Sequence, residues 1–208
     1  MHLEVFVEEQ SAEEALKNLI PKIIGADHSF QIHPFQGKQQ LLKELPSRLK
    51  GIKYMLSLPD VYVIVLIDRD QNDCKALKAK LEEIAKSAGL FTKSHPGREG
   101  TFQVVNRLAI EELEAWFFGD VKAIHIVYPK ISSTLGKKRK YRNPDAIRGG
   151  TWEALERELK QKGYYSGGLP KIEVAREISK RMDPTRNLSQ SFRIFRDALL
   201  FVVSRTSS

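Results

Sequence analysis

Residues 61–67 (VYVIVLI) form a run of seven apolar or aromatic side chains, five of them Val or Ile, that stops at Asp68, Arg69 and Asp70, with Asp73 close behind. Residues two apart on an extended chain point the same way, which sets the carboxylates of Asp68 and Asp70 side by side. Such a pair repels itself, and a shared proton or a bound cation relieves the repulsion. Residues 68–73 equally suit a polar turn that caps a following helix, because Asp and Asn favour turns and N-caps. A second apolar run, residues 3–7 (LEVFV), also ends in acids, at Glu8 and Glu9. Glu114 is a further candidate. If residues 111–118 (EELEAWFF) form a helix, Ile110, Leu113, Trp116 and Phe117 share one face, and Glu114 falls within or beside that apolar stripe. A carboxylate held there needs a basic neighbour, a proton or a metal, unless it sits at the edge and reaches water or an Arg.

These side chains need a scaffold. Residues 61–67, bounded by Pro59 and Asp60, predict a strand buried on both faces in the middle of a parallel sheet. Ser11, Glu13 and Glu14 start a helix carrying Leu16, Leu19, Ile20 and Ile23, which Pro21 should kink or end early. Residues 29–35 alternate weakly and predict a second strand nearer an edge because of Pro34. Residues 38–58 hold a helical stripe broken at Pro46, and residues 74–88 predict an amphipathic helix ended by Gly89. Residues 102–110 are the next β-rich run. This alternation of strand and helix predicts a mainly parallel sheet with helices packed on it. Ligands of such sheets sit outside the carboxyl ends of the strands, where these acids lie.

Beyond Asp120 the pattern changes to a helical extension with segments starting at Thr151, Pro170 and Ser189. The expected organisation is an α/β core over residues 1–120 and a helical C-terminal extension over residues 121–208 packed on it. Within this extension lies a basic run with Lys137, Lys138, Arg139, Lys140 and Arg142 around Tyr141. It reads either as a mobile loop gripping phosphates or as a solvated loop.

With 208 residues the chain can bury a sizeable core. A single cysteine, Cys74, excludes an internal disulfide and suits a reducing compartment. No apolar run approaches the roughly 18 residues of a membrane span. The N-terminus turns acidic where a signal peptide stays apolar, so a cytoplasmic protein without membrane association is expected. A formal charge of +8 beside an acidic candidate site suits a polyanionic partner held by basic residues, although a modest positive charge also serves solubility.

Val7-Glu8-Glu9 followed by Leu66-Ile67-Asp68-Arg69-Asp70 resembles the TOPRIM fold, with its glutamate after the first strand and Asp-x-Asp after a later one. TOPRIM domains occur in topoisomerases, bacterial primases and the nuclease half of the OLD family. The stretches VEEQSAEEAL, LIDRDQNDC, IEELEAWFFGD, NPDAI and SQSFRIFRDAL together resemble DUF4276, a bacterial family grouped with TOPRIM-like proteins. The resemblance covers nearly the whole chain. It implies a TOPRIM-like (Rossmann-like) sheet and a Mg²⁺- or Mn²⁺-dependent nuclease cleaving DNA or RNA. In that reading Asp68 and Asp70 are metal ligands, and Glu8 is a ligand or a general base. Asp73 and Glu114 orient ligands or complete a second metal site, and the basic run holds the nucleic-acid backbone. The resemblance also implies an anti-phage or DNA-repair setting and a possible ABC/SMC-like ATPase partner. One departure is Glu9, which stands where the TOPRIM pattern has glycine. The alternatives are a conditionally active or non-catalytic subunit of such an ATPase, and a plain nucleic-acid-binding protein.

Overall fold

A computed structural model describes residues 1–69 and 72–206. Its centre is a four-stranded, all-parallel sheet in the order β2-β1-β3-β4. The strands are β1 (His2–Val7), β2 (Ser29–Pro34), β3 (Val61–Asp68) and β4 (Val104–Ala109). Helices α1 (Gln10–Ile24), α2 (Lys38–Gly51) and α3 (Cys74–Ser87) connect them in turn. The continuous apolar run reads as expected, since Val63, Ile64, Val65 and Ile67 are fully buried and Leu66 nearly so. Alternation divides them: Ile64 and Leu66 join a core with α1 and the C-terminal helices, whereas Val63, Val65 and Ile67 face α2 and α3. At about 1.5–3 kcal/mol for each fully buried aliphatic side chain, this strand anchors both layers.

The chain leaves β1 for β2 through α1 on one face, then crosses to β3 through α2 on the other. The point between β1 and β3 where the winding reverses is the topological switch point, and both strands deliver their carboxyl ends to it.

Prolines did less than the sequence suggested. Helix α1 runs through Pro21 to Ile24, and α2 through Pro46 to Gly51. Burial of Leu19, Ile20, Ile23 and Ile24 offsets the cost of about 3 kcal/mol for an interior proline. Pro34 ends the edge strand β2, where its missing N–H is tolerated.

Residues 111–118 are corrected. Helix α4 spans Glu114–Gly119, because Glu111 takes a left-handed backbone (φ 63°) that interrupts any earlier turn. Then follow α5 (Val121–Val127), α6 (Thr151–Gln161), α7 (Lys171–Arg181) and α8 (Gln190–Thr206). Helix α7 packs along α1, and α8 against α1 and β4. The stretches NPDAI, EAWFF and SQSF interlock at the start of α8. Asp145 accepts from the Gln190 N–H (2.5 Å) and from the hydroxyls of Ser189 (2.9 Å) and Ser191 (2.6 Å), and Trp116 Nε1 donates to Ser191 Oγ at 2.9 Å.

Candidate functional site

The parallel register of β1 and β3 pairs Val7 with Leu66, so the next residues of both strands emerge together at the carboxyl edge. Glu8 Oε2 accepts the backbone N–H of Asp68 at 3.3 Å. Thus Glu8 and Asp68, separated by 60 residues, meet at the switch point, both half-buried. Lys38 Nζ approaches the Arg69 carbonyl at 3.4 Å, and the Arg69 guanidinium is ion-paired with Glu111, which places both cations on this edge. The pairing with Arg69 accompanies the left-handed conformation of Glu111, a backbone cost of roughly 1–2 kcal/mol beside a candidate site. Asp70 lies outside the described residues.

Consecutive residues of an extended chain face opposite ways, and Glu9 (φ −151°, ψ 169°) points away from Glu8. Its carboxylate accepts from Ser11 Oγ at 2.6 Å and from Lys171 Nζ at 3.1 Å, the latter at the start of α7. Glu112 Oε2 accepts three bonds at 2.9 Å from the Thr151 N–H, the Thr151 hydroxyl and the Trp152 N–H, tying the start of α6 to the same edge. The Lys171 ammonium also lies 5.3 Å from the centre of the Trp152 ring.

Glu114 sits under this group at 1 % exposure, and its Oε2 has no hydrogen-bond partner among the described residues. Burial pushes its carboxyl up to about 7; Lys171 opposes that shift, and Glu112 and Glu9 reinforce it. Lys171 is itself partly desolvated, but the carboxylates of Glu114 and Glu9 outweigh this and raise its pKa. It therefore stays charged while Glu114 changes protonation near neutrality.

Asp73 lies past β3, exposed, and its Oδ1 accepts the Ala76 N–H at 2.7 Å as the N-cap of α3. The basic run is a succession of short helical turns at Leu135–Lys137 and Arg139–Tyr141, in place of an open loop. Tyr141 pins it, buried and stacked on Phe118 at 4.8 Å. Lys137, Lys138, Arg139, Lys140 and Arg142 are all exposed, and the ammonium groups of Lys138 and Lys140 pair with the buried Glu158 (3.3 and 2.8 Å). Lys38, Arg69, Glu111, Glu112 and Lys171 had not been singled out as site residues. Arg69, next to Asp68 at the end of β3, and the acidic doublet Glu111–Glu112 carried a local hint, whereas Lys38 and Lys171 reach the edge through tertiary packing.

The hard oxygens of Glu8 and Asp68 suit a divalent cation such as Mg²⁺, which is commonly held by one or two carboxylates with water and phosphate oxygens completing the shell. Among the described residues no three His, Cys, Asp or Glu side chains gather closely enough to hold a metal by themselves. A cation held here by such hard oxygen donors would take the rest of its shell from water and substrate.

A parallel α/β sheet with an acidic edge at its switch point defines the class of protein. Within it the chain belongs to the family described as a domain of unknown function, DUF4276, whose model matches residues 7–200. The chain is also similar to a leucine–tRNA ligase of Borrelia turicatae (strain 91E135), 27 % identical over 119 residues, which is 56 % of this chain and 14 % of that protein's length. No solved structure matches the chain. No helix among the described residues is long and apolar enough to cross a membrane.

Proposed function

We propose that the sheet is a TOPRIM-like core and that the protein is a Mg²⁺- or Mn²⁺-dependent nuclease hydrolysing phosphodiester bonds of DNA or RNA. The observation that supports this most is the meeting of Glu8 and Asp68 at the β1/β3 switch point. Asp68 and Asp70 hold the cation. When bound, the cation polarises a phosphoryl oxygen and makes a bound water more acidic. In this reading Glu8, half-exposed, is either a ligand of the cation or the base that takes the proton of an attacking water. Arg69, fixed by Glu111, presents a guanidinium to phosphate oxygens. Glu114 acts at one remove, by setting the charge around Lys171 and Glu9.

A second reading, a subunit of an ABC/SMC-like ATPase assembly with an anti-phage or DNA-repair role, draws on the exposed apolar side chains Ile194, Leu200 and Phe201 of α8. It predicts co-purification with an ATPase and cleavage only in the assembly.

The test of the first reading uses plasmid DNA and tRNA with Mg²⁺ or Mn²⁺. Wild type should cleave, and Glu8→Gln and Asp68→Asn should each lose about 100-fold or more, the usual scale for removing an acid–base or metal-holding group. Equal cleavage by these variants and the wild type would end the site assignment.

A further inference from the structure

Away from the sheet edge, part of the basic run forms one wall of a cleft of about 550 Å³, lined chiefly by Arg139, Lys140, Tyr141, Ile147, Arg148 and Arg157. Four of its lining residues are cationic and none is acidic. The sequence run accounts for two of the four; Arg148 and Arg157 come from the turn before α6 and from α6 itself.

The wall is built from beneath. Glu158 is buried and accepts the Tyr141 hydroxyl at 2.7 Å, Lys140 at 2.8 Å and Lys138 at 3.3 Å. Burial raises its pKa, but bonds from Lys140, Tyr141 and Lys138 outweigh this and hold the carboxyl at about 2. Glu158 thus offsets the lysines and fixes the backbone that carries Arg139. The guanidiniums of Arg139, Arg148 and Arg157 are exposed, and among the described residues none is ion-paired; Arg157 makes one 3.5 Å contact with the Tyr141 hydroxyl.

Like charges gathered on one concave surface raise the local potential for an anion, and guanidinium forks match phosphate oxygens in pairs. A cleft of this volume, with three guanidiniums outside any ion pair among the described residues and Lys140 beside them on Glu158, exceeds the needs of a single phosphate. Tyr141, the aromatic residue in the wall, is 1 % exposed, so it offers no ring face for base stacking. The ligand is therefore gripped through its backbone and not its bases. Along the chain the cleft is close to the residues tied to Glu112: Arg148 stands three residues before Thr151, whose N–H and hydroxyl donate to Glu112.

We propose that the Arg139–Lys140–Arg148–Arg157 cleft is a phosphate-binding track for consecutive phosphates of a nucleic-acid strand, leading toward the carboxyl edge of the sheet. The choice of a nucleic-acid strand rests on the nuclease reading of that edge; the cleft's affinity for phosphates does not.

The test is fluorescence anisotropy of a labelled single-stranded oligonucleotide, as DNA and as RNA, in EDTA so that binding is measured without cleavage. Arg148→Gln/Arg157→Gln should bind at least about tenfold more weakly, and its log–log salt slope should fall by about 1.4, two contacts at about 0.7 each for a single strand. Both arginines are exposed, so the variant should melt with the wild type. The control Lys43→Gln/Lys50→Gln removes equal charge from α2, on the other face of the sheet. A cleft variant that binds like this control overturns the proposal, as does binding of pyrophosphate without binding of the oligonucleotide. Asp68→Asn separates the two readings. Full oligonucleotide affinity in both wild type and Asp68→Asn, with no cleavage by either in Mg²⁺, supports the track and sinks the reading of the isolated chain as a nuclease.

Discussion

The carboxylate of Glu8 accepts the backbone N–H of Asp68 at 3.3 Å, so the end of one central strand is tied to the end of its neighbour through a candidate catalytic side chain. The bond makes the local fold and the site one arrangement.

Glu8→Gln separates structure from chemistry. Glutamine keeps an oxygen that can accept the Asp68 N–H, so stability should change by less than about 1 kcal/mol. Cleavage should nevertheless fall steeply, because the amide neither binds a cation strongly nor takes a proton. Urea denaturation beside a cleavage assay reads both. A variant that loses stability and activity in parallel would make Glu8 a structural residue.

Glu114 gives a pH dependence. Its folded carboxyl is raised to about 7 from an ordinary 4.5, so the folded state binds the proton more tightly than the unfolded chain. The contribution to stability is fully present below pH 4.5, is lost as pH climbs to about 7, and is flat above. The groups facing it are Lys171 on α7, Glu112 before α4 and Glu9 after β1. The shift corresponds to about 3 kcal/mol as an order of magnitude. Glu114→Gln should therefore melt several degrees above wild type at pH 8.5, with the difference vanishing toward pH 4.5. Thermal melts across pH in EDTA check this, and equal slopes for both proteins would contradict it.

Asp145 should prove structural although it stands in one of the stretches that resemble DUF4276. It caps α8 from a distant loop and gathers Ser189, Gln190 and Ser191. Asp145→Ala leaves these donors without their acceptor and should cost about 2–3 kcal/mol, read as a lower denaturation midpoint. Activity measured well below the melting point should remain. Loss of cleavage in a fully folded variant would instead move Asp145 into the site.

Much of this was legible in the chain because the signals were local. The run of residues 61–67 and the helical stripe after Asp73 fixed β3 and α3, and the apolar spacing around Glu114 foretold its burial. Lys171 was not legible: it reaches Glu9 across 162 positions, and nothing around it distinguishes it from a surface lysine. Nor did the basic run show that two of its lysines are spent on Glu158, since that pairing depends on how α6 packs. Prolines misled in the other direction, because their local cost at Pro21 and Pro46 is outweighed by burial that only the assembled core supplies.

The most direct test of the central claim is Mn²⁺ binding followed by electron paramagnetic resonance on the intact chain, comparing wild type with Glu8→Gln/Asp68→Asn. If the ends of β1 and β3 build one divalent-cation site, wild type binds Mn²⁺ and the double variant binds it at least about tenfold more weakly while keeping its circular dichroism spectrum. Equal Mn²⁺ affinity in the two folded proteins would contradict the account.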